Sequence, residues 1–96
     1  MRIVTMVSAQ VDERRAPELV AAFEALVAEG LPDGLLRTQL LGDGKGSWVI
    51  SSTWRDRDAL DAMRAAPEPP AAPTLFRRFS ADPTLVVMRV LVDSGQ

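Results

Sequence analysis

The sequence predicts an α+β fold of the ferredoxin-like type, with the element order β-α-β-β-α-β and an antiparallel four-stranded sheet. Apolar residues change from alternating to helical spacing and back along the chain, which predicts the elements. A glycine-rich stretch between two strand-like segments predicts a hairpin. The length of 96 residues leaves room for one hydrophobic core. We therefore treat residues 1–96 as a single domain.

The first predicted strand covers residues 2–11 and is apolar on both of its faces. Ile3 and Val7 lie on one face, whereas Val4 and Met6 lie on the other. A strand that is apolar on both faces is normally covered on both. Because the helices of so short a chain cover one side of the sheet, the other side requires a partner.

The spacing becomes helical from residue 13 to residue 29. Asp12 is the expected N-cap of this helix, and Gly30 is expected to end it. The apolar residues that recur along one side are Leu19, Val20, Phe23, Leu26 and Val27.

Residues 35–41 and 47–54 are the next two predicted strands, joined by a loop over residues 42–46. A second helix is predicted over residues 56–66, with Asp56 as its cap. Ser52 and Gln39 lie on the paired strands, and the sequence leaves open which face of the sheet each occupies.

Four prolines interrupt residues 67–73, which we interpret as a loop and a lid, because proline disrupts both helices and central strands. A short apolar segment containing Leu75 and Phe76 follows. The last predicted strand covers residues 85–92 and is apolar on both faces apart from Arg89. Together with Val4 and Met6, this strand makes the open face of the sheet apolar, which predicts a twofold homodimer.

Absent residue types exclude several kinds of chemistry. The sequence contains no Cys, His or Tyr, so it has no thiolate nucleophile, no zinc–sulfur site and no histidine ligand for haem iron. A net charge of −2 does not provide the basic face that nucleic-acid binding uses. No apolar run approaches the about 20 residues of a membrane-spanning helix. We expect a cytoplasmic protein without a cofactor that binds neither nucleic acid nor membrane.

Three segments resemble the antibiotic-biosynthesis monooxygenase superfamily of dimeric α/β barrels. They are residues 16–23 after the first strand, the turn at residues 32–34, and above all residues 49–60. The last segment is similar to the family's apolar strand that ends in Trp and is followed by an acidic-basic turn and a helix. The resemblance covers most of the chain except the proline-rich segment. It is specific for the fold and implies less about the activity.

Haem-degrading members of the superfamily use an Asn on the first strand, a Trp in the second helix and a His after that helix. Ungapped overlays place Val7 and Met63 at the first two positions, and the third falls near Phe79 and Ser80. Because the chain has no His, this activity is disfavoured.

Other members oxidise electron-rich phenols with O₂ and use no metal or flavin. The resemblance therefore implies a small cofactor-independent monooxygenase or tailoring enzyme that acts on an aromatic or quinone-like metabolite. Arg89 interrupts an apolar strand, and its guanidinium is our candidate for stabilising a substrate anion. The alternative is that Arg89 pairs with an acidic neighbour or faces solvent at the rim of the sheet.

A pocket between sheet and helices is expected to hold the small aromatic molecule. Its expected lining residues are Val7, Trp54, Met63, Phe76 and Phe79, although core packing is an alternative for Trp54 and Met63. The competing interpretation is a non-catalytic small-molecule-binding or dimerisation module with the same fold. A filled interior, without a cavity of roughly 300 Å³, would favour that module.

Overall fold

The computed structural model describes residues 1–95 and confirms the α+β, ferredoxin-like class. The sheet is antiparallel with strand order β2-β3-β1-β4. The strands are β1 (Ile3–Gln10), β2 (Leu35–Gly42), β3 (Ser47–Trp54) and β4 (Thr84–Arg89). The helices are α1 (Ala16–Ala28), α2 (Arg57–Ala65) and α3 (Ala71–Arg78).

The helices cover one face of the sheet, where alternate residues of the two central strands are buried. Val7 of β1 pairs with Ile50 of β3 and with Leu85 of β4, so these three side chains share the covered face. The buried residues of β1 are Ile3, Thr5, Val7 and Ala9, and those of β3 are Trp48, Ile50, Ser52 and Trp54.

The open face carries apolar residues of β1 and β4 at facing positions. Val4 pairs with Met88, and Met6 pairs with Val86. Val86 and Met88 are 39% and 51% exposed in the single chain. The open face is therefore apolar along β1 and β4, as the alternation of residues in the first strand predicts.

The predicted helix over residues 13–29 is divided into a 3-10 turn, Glu13–Arg15, and α1. The Asp12 carboxylate accepts a hydrogen bond from the backbone N–H of Arg14 at 2.9 Å and caps the 3-10 turn. The side-chain hydrogen bond from Arg14 contributes most to lowering the pKa of Asp12 to about 2. After α1 the backbone reverses at Gly30, whose φ of +103° suits glycine.

The prediction that residues 67–73 contain no helix was wrong for its last three residues. Helix α3 begins at Ala71 and includes Pro73 in its first turn. Proline is tolerated there, because the first N–H groups of a helix have no partner within the helix. The Thr74 hydroxyl also donates to the Pro70 carbonyl at 2.8 Å, which ties the chain together across this start.

The last strand is shorter than predicted, since β4 ends at Arg89 and residues 90–92 lie beyond it. Leu91 and Val92 are 71% and 86% exposed, so packing does not hold them against the sheet. Within residues 1–95, no helix combines the length and apolar character needed to cross a membrane.

The buried residues form two separate clusters beneath the helices. The larger cluster contains Leu19 of α1 with Leu75 and Phe76 of α3, and it packs on the middle of the sheet. The smaller cluster lies under α2 and consists of Ile3, Trp54, Ala59 and Leu60.

Candidate functional site

A cavity of about 530 Å³ lies between the covered face of the sheet and the helices. Its floor is formed by side chains from all four strands, including Val7, Ile50 and Leu85. Phe23 and Leu26 of α1, Leu60 and Met63 of α2, and the segment from Pro70 to Pro73 complete the wall. A small organic molecule can therefore lie on the sheet beneath the helices.

Three hydroxyl groups and one indole nitrogen form a polar line across the floor of this apolar cavity. The indole Nε1 of Trp54 donates to Thr5 Oγ1 at 3.1 Å. Thr38 Oγ1 and Ser52 Oγ are 3.0 Å apart and share a hydrogen bond. Thr5 and Ser52 are 7% exposed and lie directly opposite each other on β1 and β3. We call Thr38, Ser52 and Thr5 the hydroxyl row.

Strand register explains why these hydroxyls meet. Ser52 pairs with Thr5 on one side and with Thr38 on the other, and paired residues of antiparallel strands point to the same face. Trp54 follows Ser52 by two positions and so lies on the same face of β3.

Charged side chains lie only at the mouth of the cavity among the residues that line it. They are Glu29 after α1, Arg64 of α2 and Glu68 in the proline-rich segment, and all three residues are exposed. Any proton transfer inside the cavity would therefore depend on hydroxyl groups, on water, or on the ligand itself.

Three of the five lining residues expected from the sequence do line the cavity: Val7, Trp54 and Met63. Phe76 and Phe79 lie outside the lining. Phe76 is fully buried in the larger core cluster, because α3 directs it toward the sheet. Phe79 packs at the edge of that cluster, and the Arg15 guanidinium lies 4.5 Å from its ring centroid.

Arg89 pairs with Ile3 and so lies on the helix-covered side of the sheet. Its position at the end of edge strand β4 leaves it exposed, and it is not among the residues that line the cavity. The proposed role of Arg89 in stabilising an anion therefore remains a prediction.

Sequence reasoning did not identify Thr5 and Thr38 as site residues and left the face of Ser52 open. Ser52 lies on the cavity floor, whereas Gln39 pairs with Ser51 on the open face. The shared face of Ser52 and Trp54 could have been found from their spacing of two residues. The partners Thr5 and Thr38 required the strand register.

A family model described as antibiotic biosynthesis monooxygenase matches residues 2–72. The chain belongs to the antibiotic biosynthesis monooxygenase family. The matched region contains the β1 to β3 part of the cavity and all of α2. A comparison with curated protein sequences finds no significant match.

Solved structures similar to this family member share its fold across nearly the whole chain. A haem-degrading protein from Mycobacterium tuberculosis is 23% identical with a TM-score of 0.72, and the match covers 99% of this chain and 100% of that chain. SnoaB, a cofactor-independent oxygenase from Streptomyces nogalater, is 19% identical with a TM-score of 0.70, covering 99% and 98% of the two chains. A conserved protein from Methanosarcina mazei Go1 is 16% identical with a TM-score of 0.71, covering 93% and 92%.

The residues of this antibiotic biosynthesis monooxygenase family member do not fit a haem-degrading site. Haem iron is usually held by His, Cys, Tyr or Met, and the sequence lacks the first three. Met63 is the one residue of these types that lines the cavity. Within residues 1–95, no group of three or more His, Cys, Asp or Glu residues is arranged to hold a metal ion.

Proposed function

We propose that this protein binds a planar aromatic or quinone-like molecule in the cavity and oxidises it as a cofactor-independent monooxygenase. The cavity itself carries the proposal, because its volume of about 530 Å³ exceeds the roughly 300 Å³ at which small-molecule sites begin. Apolar walls with few polar groups are typical of such sites.

The proposed reaction converts a ring methylene group of an anthrone-type substrate into a ketone. The methylene carbon loses two hydrogens and gains one oxygen atom from O₂, and the second oxygen atom leaves as water. The carbon gives up four electrons and O₂ accepts four, so the substrate is the reductant and no other co-reactant is needed.

The side chains of the cavity would hold the substrate in position and exclude water, and they would not supply a strong internal base. The proton that leaves the methylene would pass to water at the mouth, where the carboxylates of Glu29 and Glu68 are bases in the lining. Arg89 lies outside the lining, so its proposed stabilisation of the resulting anion would act from the rim of the sheet, and its exposed position lets a substitution test this role without disturbing the core.

Oxygen uptake with 1,8-dihydroxyanthrone tests the proposal. We expect one quinone to form per O₂ consumed. The rate of oxygen uptake should exceed the rate measured without protein. Met63→Trp, which places a bulkier side chain in the cavity, should reduce the rate of quinone formation. Val20→Trp is the control, because Val20 is an exposed residue of α1 outside the lining. Uptake no faster than in buffer would overturn the oxygenase proposal.

The second candidate is a non-catalytic module that binds a small molecule in the same cavity. It is favoured by the absence of acids and bases from the interior part of the lining described above. Binding of 1,8-dihydroxyanthraquinone together with unaccelerated anthrone oxidation would identify this function.

We also propose that two copies pack through their open sheet faces in a twofold homodimer. The proposal is supported by the exposed Val86 and Met88, which adjoin Val4 and Met6 on the neighbouring strand. Face-to-face packing would remove these apolar side chains from water.

A further inference from the structure

We infer that the hydroxyl row determines which ligand the cavity accepts, and that it donates hydrogen bonds to the oxygen-bearing edge of an uncharged planar ligand. This inference deepens the proposed function and rests on the binding it assumes, though not on turnover.

Two hydroxyl protons of the row have no acceptor within residues 1–95. Thr5 Oγ1 accepts from Trp54, and within residues 1–95 the Thr5 hydroxyl has no acceptor for its own proton. Thr38 and Ser52 share one hydrogen bond, which uses one of their two hydroxyl protons. Two protons therefore remain on the floor of the cavity, where a ligand oxygen can accept them.

The indole N–H makes Thr5 the better donor of the row. A hydroxyl that already accepts a hydrogen bond is polarised and donates more strongly. The bond from Trp54 also fixes Thr5 Oγ1 in place, at 3.1 Å from the indole nitrogen. The arrangement favours ligands with an acceptor atom, such as a ketone or quinone oxygen, over unsubstituted hydrocarbons.

The pairing of Thr5 with Ser52 sets the width of the site. Directly opposed residues of antiparallel strands have Cβ atoms about 4.5–5.5 Å apart. A hydrogen bond from a hydroxyl spans about 2.7–2.8 Å between oxygens. When Thr38 donates to Ser52, the Ser52 proton is free, and Thr5 and Ser52 can then converge on one carbonyl oxygen or on two adjacent oxygens at the edge of one ring.

The surroundings of the row disfavour a ligand group that carries a localised charge, such as a carboxylate. Val7, Ile50 and Leu60 line the same cavity and are buried apolar residues. The one cation of the lining, Arg64, is exposed at the mouth. Burying a carboxylate beside the row would therefore cost hydration without a paired charge.

Calorimetric binding titrations with three probes of similar ring shape test this inference. 1,8-Dihydroxyanthraquinone carries an oxygen edge, anthracene carries none, and anthraquinone-2-carboxylate adds a charge. We expect Thr5→Val and Ser52→Ala each to weaken binding of the dihydroxyanthraquinone about 5–10-fold, the size of one lost hydrogen bond. Anthracene should bind the same variants as it binds the original chain.

Thr53→Val is the matched control, because Thr53 lies on β3 next to Ser52 but pairs with Val4 on the open face. It should leave the binding of all three probes unchanged. Thr5→Ser keeps the hydroxyl and should restore binding. If circular dichroism shows that Thr5→Val does not fold, Ser52→Ala and Thr5→Ser together provide the test.

Two results would contradict us in distinguishable ways. If Thr5→Val and Ser52→Ala bind the dihydroxyanthraquinone as tightly as the original chain, the row does not select the ligand, and the proposed binding function stands. If the original chain binds none of the three probes, the proposed function fails and this inference fails with it.

Discussion

The indole ring of Trp48 fills the space beside Gly42 on the neighbouring strand. A Cβ atom at Gly42 would lie 2.8 Å from Cζ3 of that ring, closer than a Cβ atom approaches non-bonded atoms in proteins. Trp48 is buried, and its Nε1 donates to the Val11 carbonyl at 3.2 Å. Glycine is needed at this position for space, since Gly42 is not one of the glycines with a positive φ.

Gly42→Ala should lower the free energy of unfolding by about 1–3 kcal/mol, the usual cost of overpacking. Urea denaturation measures the change. Trp48→Leu removes the indole ring. In that background Gly42→Ala should lower the free energy of unfolding much less. An equal cost in both backgrounds would show that the ring is not the cause.

Asp56 caps α2 through its carboxylate, which accepts from the Ala59 backbone N–H at 2.8 Å. Asp56→Ala should lower the melting temperature by several degrees, because it leaves this N–H without its partner. Asp56→Asn retains an acceptor and should lower the melting temperature much less. Thermal unfolding followed by circular dichroism at pH 7 distinguishes the variants.

The same hydrogen bond makes the stabilisation depend on pH. The Ala59 N–H lowers the pKa of Asp56 in the folded chain below the value of about 3.9 of an unfolded Asp. The charged cap stabilises the protein above that value, and the stabilisation is lost as the pH falls toward the lowered pKa. The stability difference between the original chain and Asp56→Asn should shrink over this range, and a constant difference would refute the charge effect.

Trp54 should report ligand binding by fluorescence, because it lines the cavity and Trp48 does not. In a Trp48→Phe chain, where Trp54 is the sole indole, 1,8-dihydroxyanthraquinone should quench most of the emission. In Trp54→Phe, where Trp48 remains, quenching should be much weaker. Equal quenching of the two variants would place the ligand elsewhere.

The proposed dimer predicts that Met88→Glu yields a monomer at micromolar concentration in sedimentation experiments. The added charge would lie on the open face opposite Val4. Val20→Glu is the control, since Val20 is a comparably exposed apolar residue on α1. A monomeric mass for the original chain would overturn the dimer itself.

Arg89→Ala tests the anion-stabilising role expected from the sequence. If the guanidinium acts on the substrate, the variant should slow anthrone oxidation at least tenfold while binding of the neutral quinone stays unchanged. The fold should be unaffected, because Arg89 is exposed. An unchanged oxidation rate would remove Arg89 from the mechanism.

Structural features that depend on residues close together in the sequence could be predicted from it. The bounds of β3 and the cap at Asp56 follow from local spacing and local hydrogen bonding. Helix α3 could not be predicted in this way, because proline disrupts a helix except in the first turn, and the sequence alone does not show that Pro73 lies in one. The hydroxyl row could not be predicted either, because Thr5 and Ser52 are 47 residues apart and meet only through strand register.

The division of the core into two clusters has a consequence for how a ligand reaches the cavity. The smaller cluster around Trp54 and Leu60 packs α2 on the sheet with partly buried Leu35, Met63 and Val87 at its edge, whereas α1 and α3 share the larger cluster. Partial detachment of α2 therefore costs less than unfolding the domain. Backbone amides of α2 should therefore exchange with solvent faster than those of β1, and each such opening would provide a route for a rigid ring system to pass beneath the helix.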